Sequence, residues 1–255
     1  MINSWFTEVL LREARSYPTF LPYSNPWAMV QSYYCVYLSI RAYFRAACRS
    51  VAPTHEKTLR AIGSDLTSYK LRFPDPWRCV LDGDSNSHGL KLTNSAYTSP
   101  LALKNPLTSP HKGDPWQHFM LFLKTTRDRQ INSKINTWKQ DHNRKLIHAH
   151  ERAALVSNLR PTSFFDSLYR IRARSNYMDV DSFAFGDVNE TASKVLHNAV
   201  CELLYCTLFV LEMLIARLIG KAQFDKFVSS FANSKPGSPA GTSIGARWPI
   251  MQAFV

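Results

Sequence analysis

One helical pattern, unbroken from Asp187 to Gly220, constrains this chain more tightly than any other feature of its sequence. Asp187-Val188-Asn189-Glu190 has the form of a capping box: an acidic cap takes a free backbone amide, and a glutamate three residues on reaches back. Gly220 suits the opposite end. Between them lie about 32 residues, or roughly 48 Å of helix. Its apolar positions, Leu196, Val200, Leu203, Leu204, Leu208, Leu211, Ile215 and Leu218, cover more than one face, as expected of a helix central to a core or shared with another subunit. The stretch from Val195 to Ile219 is also the strongest membrane candidate. His197, Glu202, Glu212 and Arg217 interrupt it, so a buried helix and no membrane span is the expectation.

The rest of the chain follows the same period, and period-two patterns are nearly absent, which predicts an all-α fold. A first helix is expected from Ser4 to Ser16, stopped by Pro18. A second starts at Asn25-Pro26, a capping residue before proline. Its stripe is Val30, Tyr33, Tyr37, Ile40, Phe44 and Ala47. A third follows Pro53-Thr54 and turns Leu59, Ile62 and Leu66 inward. From Arg72 to Asp114 the period is lost among Pro, Gly, Ser, Thr and Asn, which reads as a long irregular insertion. Within it, Asp82-Gly83-Asp84 reads as a turn and not a metal loop. Asp114-Pro115 restarts helix, and a basic helical region runs to about Asn158. Ser163 to Asp166 caps a short helix through Leu168 and Ile171. After Phe231, SKPGSPAGTSIGA reads as a flexible linker before the apolar Trp248-Pro249-Ile250-Met251, which either docks on the body or serves as a partner tag. The expectation is one enlarged domain over 1–231, with a flexible tail over 232–255.

The chain has 255 residues, with Lys plus Arg at 31 against 19 Asp plus Glu, a net charge of +12. That imbalance predicts attraction to polyanions. The five cysteines are odd in number and contain no C-x-x-C, and the N-terminal apolar stretch is broken by Glu8, Arg12 and Glu13. Reduced thiols, no secretion signal and a cytoplasmic protein are expected. No phosphate-cradling glycine loop, nucleophile elbow or cysteine-rich zinc pattern is present, so neither a metal nor a cofactor is expected.

Two segments carry candidate chemistry. The first runs from Lys124 to Arg152. Its cations are Lys124, Arg127, Arg129, Lys134, Lys139, Arg144, Lys145 and Arg152, against Asp128, Asp141 and Glu151. Trp138, His142, His148 and His150 add stacking surface, a mixture that suits a nucleic-acid backbone as well as a solvated helical face. His148 and His150, two apart, are expected on different sides of a helix, which argues against a metal pair. Arg144, His148 and His150 supply a cation and an acid/base imidazole for cleaving RNA. The second segment holds Arg170, Arg172, Arg174, Asn176, Tyr177, Asp179 and Asp181. Its guanidinium forks suit phosphate, and an ion-paired network between two helices is the stronger expectation.

Tyr33-Tyr34-x-x-Tyr37-x-x-x-Arg41-Ala42, Thr54-His55-x-x-x-Leu59-Arg60, Leu168-Tyr169-Arg170-x-Arg172 and Asn176-Tyr177-x-Asp179, followed by the long apolar helix, resemble the HEPN superfamily. The resemblance covers roughly residues 25–66 and 163–220. It implies a helical bundle, often dimeric, of toxin–antitoxin, antiviral-defence or RNA-processing systems. Active HEPN ribonucleases carry arginine, four to six residues, then histidine; here the matching place has Arg172-x4-Tyr177. The resemblance therefore implies a non-catalytic member, since tyrosine is a poor general base at neutral pH. Three readings follow: a binder of RNA or other nucleic acid, a metal-independent endoribonuclease of the same fold, or a scaffold subunit joining a homodimer or larger protein assembly.

Overall fold

The computed structural model describes residues 1–51, 53–68, 70–71, 73–85, 91–93, 115–177, 190–234 and 243–255. Its helices are α1 (Ile2–Glu13), α2 (Leu21–Ala46), α3 (His55–Thr67), α4 (Pro115–Asp141), α5 (Ala149–Ser157), α6 (Phe164–Tyr177), α7 (Glu190–Ile219), α8 (Lys221–Asn233) and α9 (Ser243–Met251). The protein is mostly helical, as its periodicity requires. Where one domain is expected, the chain divides into two compact units: Met1–Thr58 with Ile171–Val255, and Leu59–Arg170.

In the first unit α2 packs along α7, and α1 lies against α2. The α2 stripe is buried at Val30, Tyr33, Tyr37, Ile40 and Phe44. The helix starts at Leu21 and not at Asn25, because Pro22 already supplies the proline of the first turn and Pro26 lies inside. Asn25 is no cap. It is buried, donates to the Ser193 carbonyl at 2.9 Å and lies 3.0 Å from His197 Nδ1, while His197 Nε2 meets the Leu11 carbonyl. α1 gives way to short 3-10 turns at Ala14–Ser16 and Pro18–Phe20.

On α7, Val200, Leu204, Leu208, Leu211 and Ile215 are buried, whereas Leu196, Leu203 and Leu218 are exposed. Among the described residues α7 is long and apolar enough to cross a membrane. Glu190 opens its described span; Asp187 to Asn189 lie outside the described residues. Gly220, at φ 83°, turns the chain into α8, a conformation that a side chain would strain.

Within the expected tail α9 forms helix from Ser243 to Met251, and of the two alternatives for the apolar end it takes docking. Ile244, Arg247, Trp248 and Met251 are buried, so the apolar end docks on its own unit; residues 235–242 lie outside the described residues. The docking contact is charged. Arg247 reaches Glu8 through two nitrogens at 2.8 and 2.9 Å and Glu212 through two at 2.6 and 2.7 Å. All three side chains are fully buried, and the Trp5 indole donates to Glu212 at 2.7 Å. Arg12 approaches Glu8 at 3.2 Å, so two guanidiniums face two carboxylates. Burial pushes Glu212 up, opposed by Arg247 and Trp5; burial lowers Arg247, and the two carboxylates more than reverse it.

The second unit corrects the irregular insertion in part. β1 (Val80–Asp82) pairs antiparallel with β2 (Lys91–Thr93) and with β3 (Thr162–Ser163), in the order β2-β1-β3. Residues 86–90 and 94–114 lie outside the described residues. Leu59, Ile62 and Leu66 of α3 are buried as expected. Ser163 opens α6, with its amide and hydroxyl both 2.8 Å from Asp166. Asp82 accepts from the Gly83 amide and from Arg127, and Asp84 accepts from Arg152. None of the chain's five cysteines forms a disulfide.

Candidate functional site

The basic segment is an elbow between two helices. α4 ends because Asn143 takes φ 50°, a left-handed value that asparagine tolerates. The Arg144 amide then bonds to the Lys139 carbonyl and the Asn143 amide to Gln140, the bond pair of a Schellman stop. The chain bends at Lys145 and reaches His148, which is extended and caps α5; the His148 amide donates to Glu151 at 2.8 Å. Ile131 and Ile135 of α4 pack with Val156 of α5, with Ile147, Leu155 and Leu159 beside them. That small apolar cluster fixes the angle from within. Arg152 ties α5 to the segment after β1, bonding Asp84 through two nitrogens at 2.8 Å.

The polar residues of the turn form one connected array, exposed at His142, Arg144, His148 and His150 and half-buried at Trp138 and Glu151. The Trp138 and His142 rings stack at 4.4 Å, one helical turn apart. Arg144 lies 5.5 Å from the Trp138 ring centre, donates to Glu151 at 2.7 Å and meets His148 Nε2 at 3.0 Å. His148 and His150 stack at 5.9 Å with planes 6° apart. This corrects the expectation that the two rings diverge: His148 stands outside the helix with ψ 159°, so the two-residue spacing does not apply to it. It also makes His148, not His150, the direct partner of Arg144. The bond from the His148 amide draws Glu151 below the usual carboxylate range, with Arg144 and the two histidines adding to it.

The eight cations of this segment do different jobs. Lys134 and Lys145 are exposed and Lys139 half-buried beside the array; Arg129 is exposed and Lys124 half-buried farther up α4. Arg127 is fully buried. It donates to the Gly83 and Arg160 carbonyls at 3.0 and 2.6 Å and to Asp82, which makes it a brace for the sheet and not a phosphate contact. Arg152 is spent on Asp84.

Of the second segment only Arg170 and Arg172 have described side chains, and these two turn to different partners. Arg170 bonds the Thr125 and Thr126 hydroxyls at 2.6 and 3.2 Å, over the Phe122 ring, within the second unit. Arg172 bonds Tyr34 at 3.2 Å and lies 5.6 Å from its ring centre, within the first. Two residues apart on a helix, they point away from each other. Arg174, Asn176 and Tyr177 lie on the α6 backbone; Asp179 and Asp181 lie outside the described residues.

Arg172 belongs to a cluster that includes residues quoted for the resemblance but not expected as a site. His55 Nδ1 meets the Tyr33 hydroxyl at 2.8 Å, and the His55 ring lies 4.1 Å from Tyr37 and 5.7 Å from Tyr34. Arg41 lies 5.6 Å from the centre of Tyr37. Burial, then the charges of Arg172 and Arg41, hold His55 below its ordinary value near 6.5. The signal was available: Tyr33, Tyr37 and Arg41 lie at four-residue steps on one face of α2. Among the described residues no group of three or more His, Cys, Asp or Glu is placed to hold a metal. Comparison of the chain with protein-family models, with curated proteins and with solved structures finds no match.

Proposed function

We infer that this is a HEPN-like helical protein that binds RNA or another nucleic acid through the α4–α5 elbow. The observation that carries the reading is the array of half-buried Trp138 with exposed His142, Arg144, His148 and His150, with Lys134, Lys139 and Lys145 beside it. Flat rings suit unstacked bases, and cations next to them suit the phosphates between those bases. The net charge of +12 favours long-range attraction to the same ligand. The sequence resemblance extends the proposal to a role in an antiviral-defence or toxin–antitoxin assembly. Labelled single-stranded RNA titrated at several salt concentrations tests it. Affinity should fall steeply with salt, and reversing Lys134, Lys139 and Lys145 to Glu should weaken binding roughly 10-fold or more and flatten the salt slope. Binding that ignores salt, or no binding, favours the scaffold reading.

One contact favours a second reading, metal-independent cleavage of RNA. Arg144 donates into His148 Nε2, so it occupies the lone pair a general base needs. A phosphate that drew Arg144 away would leave Nε2 open to take the 2′-hydroxyl proton as the 2′-oxygen bonds to phosphorus; the P–O5′ bond breaks, the 5′-oxygen takes a proton from water, and the guanidinium stabilises the charged 2′,3′-cyclic phosphate that forms. EDTA-resistant cleavage lost in His148→Ala supports this reading; binding without cleavage removes it.

A further inference from the structure

Within the first unit a cavity of about 560 Å³ opens near the C-terminal ends of α2 and α7, within the range of about 300–1,000 Å³ usual for small-molecule sites. Trp5, Leu38, Ile215, Ile219, Phe224 and Phe227 make its walls apolar. Trp5 and Phe224 meet edge to face at 6.0 Å, so that part of the wall is braced. Two charged side chains line it, Arg41 and Arg45, and no carboxylate does. They stand one turn apart on α2 and so share a face. Among the described residues neither has an acidic partner: Arg41 lies over Tyr37, and the Arg45 side chain makes no hydrogen bond.

Other arginines of this unit show the contrast. Arg247, Arg12 and Arg15 are each paired with a glutamate. Two unpaired guanidiniums beside an apolar cavity complement a ligand with an anionic head and an apolar body. Arginine binds carboxylate and phosphate oxygens through parallel N–H bonds. We propose that this cavity binds a small amphipathic anion, its carboxylate or phosphate held by Arg41 and Arg45 and its body laid against Leu38, Ile219 and Phe227. The site is separate from the elbow and does not depend on nucleic-acid binding.

Calorimetric titration of the full chain with octanoate, octan-1-ol and 1-naphthyl phosphate tests it. Saturable 1:1 binding of at least one of the two anions is expected, with octanol at least tenfold weaker than octanoate if the acyl carboxylate is the one held. Tighter octanoate points to an acyl carboxylate, tighter naphthyl phosphate to an aromatic phosphate. Arg41→Gln with Arg45→Gln should weaken the bound anion about tenfold or more. Leu38→Trp should block it by filling the cavity. Should Leu38→Trp fail to fold, the double arginine variant decides, because its side chains lie at least partly in solvent and brace no carboxylate. Failure of both anions to saturate, or equal binding by the double variant, overturns the proposal.

Discussion

Arg247 and Arg144 are each set against glutamate and an aromatic ring, and the two neighbourhoods differ in their access to water. Arg247 joins Glu8 and Glu212 with no exposed surface, 5.1 Å from the centre of Tyr205. Arg144 joins Glu151 with 44% of its side chain exposed, near Trp138. In the first place desolvation makes each charge depend on the others, so the cluster specifies where α9 docks. In the second, water screens the pair and the array remains open to a ligand. The same residue types serve as a lock when sealed and as a surface when wet.

The comparison breaks most directly at Arg247. Arg247→Met leaves Glu212 buried without a cation and Glu8 with Arg12 alone, and should cost about 3–5 kcal/mol, read as a shift in denaturant unfolding. Adding Glu8→Gln and Glu212→Gln to that variant should recover part of the loss. A single variant as stable as the wild type would mean that the cluster is open to water.

A smaller effect separates buried from exposed imidazoles. Burial, then Arg172 and Arg41, lowers His55; burial also lowers His197, opposed by its bond to the Leu11 carbonyl and reinforced by Arg15. A histidine lowered by folding binds fewer protons folded than unfolded. Its stabilising contribution is therefore present above about pH 6.5 and lost as pH falls through that value toward its folded value. Both should titrate below 6.5 by nuclear magnetic resonance, and His55→Gln should lessen the loss of stability between pH 7 and 5. A His55 midpoint above 6.5 would contradict the burial and the two neighbouring guanidiniums.

The smallest expected change sharpens the contrast. Arg144→Gln should leave the melting temperature in place, because 44% of the Arg144 side chain is exposed and the elbow is held by Ile131, Ile135 and Val156. A marked fall would make Arg144 a structural brace like Arg127.

What the sequence determined by itself is local. Leu59, Ile62 and Leu66, and the α2 stripe from Val30 to Phe44, are buried where their spacing places them, because helical periodicity depends on neighbours three and four apart. The stops and starts at Ser163, Asp166 and Gly220 were legible because capping is satisfied within one turn. Asn25 misled, since the same side chain that suits a cap also suits a buried bond to another helix. His148 misled because the two-residue rule holds only inside a helix. Only tertiary structure decided which charges are sealed. Arg247 lies 239 residues from Glu8 and 35 from Glu212, and nothing near it in sequence marks it as buried. Arg127 likewise reads as one cation among eight until Asp82, Gly83 and Arg160 close around it. The sign and number of charges are written in the chain, but their energies depend on desolvation, which is set by whatever the fold packs around them.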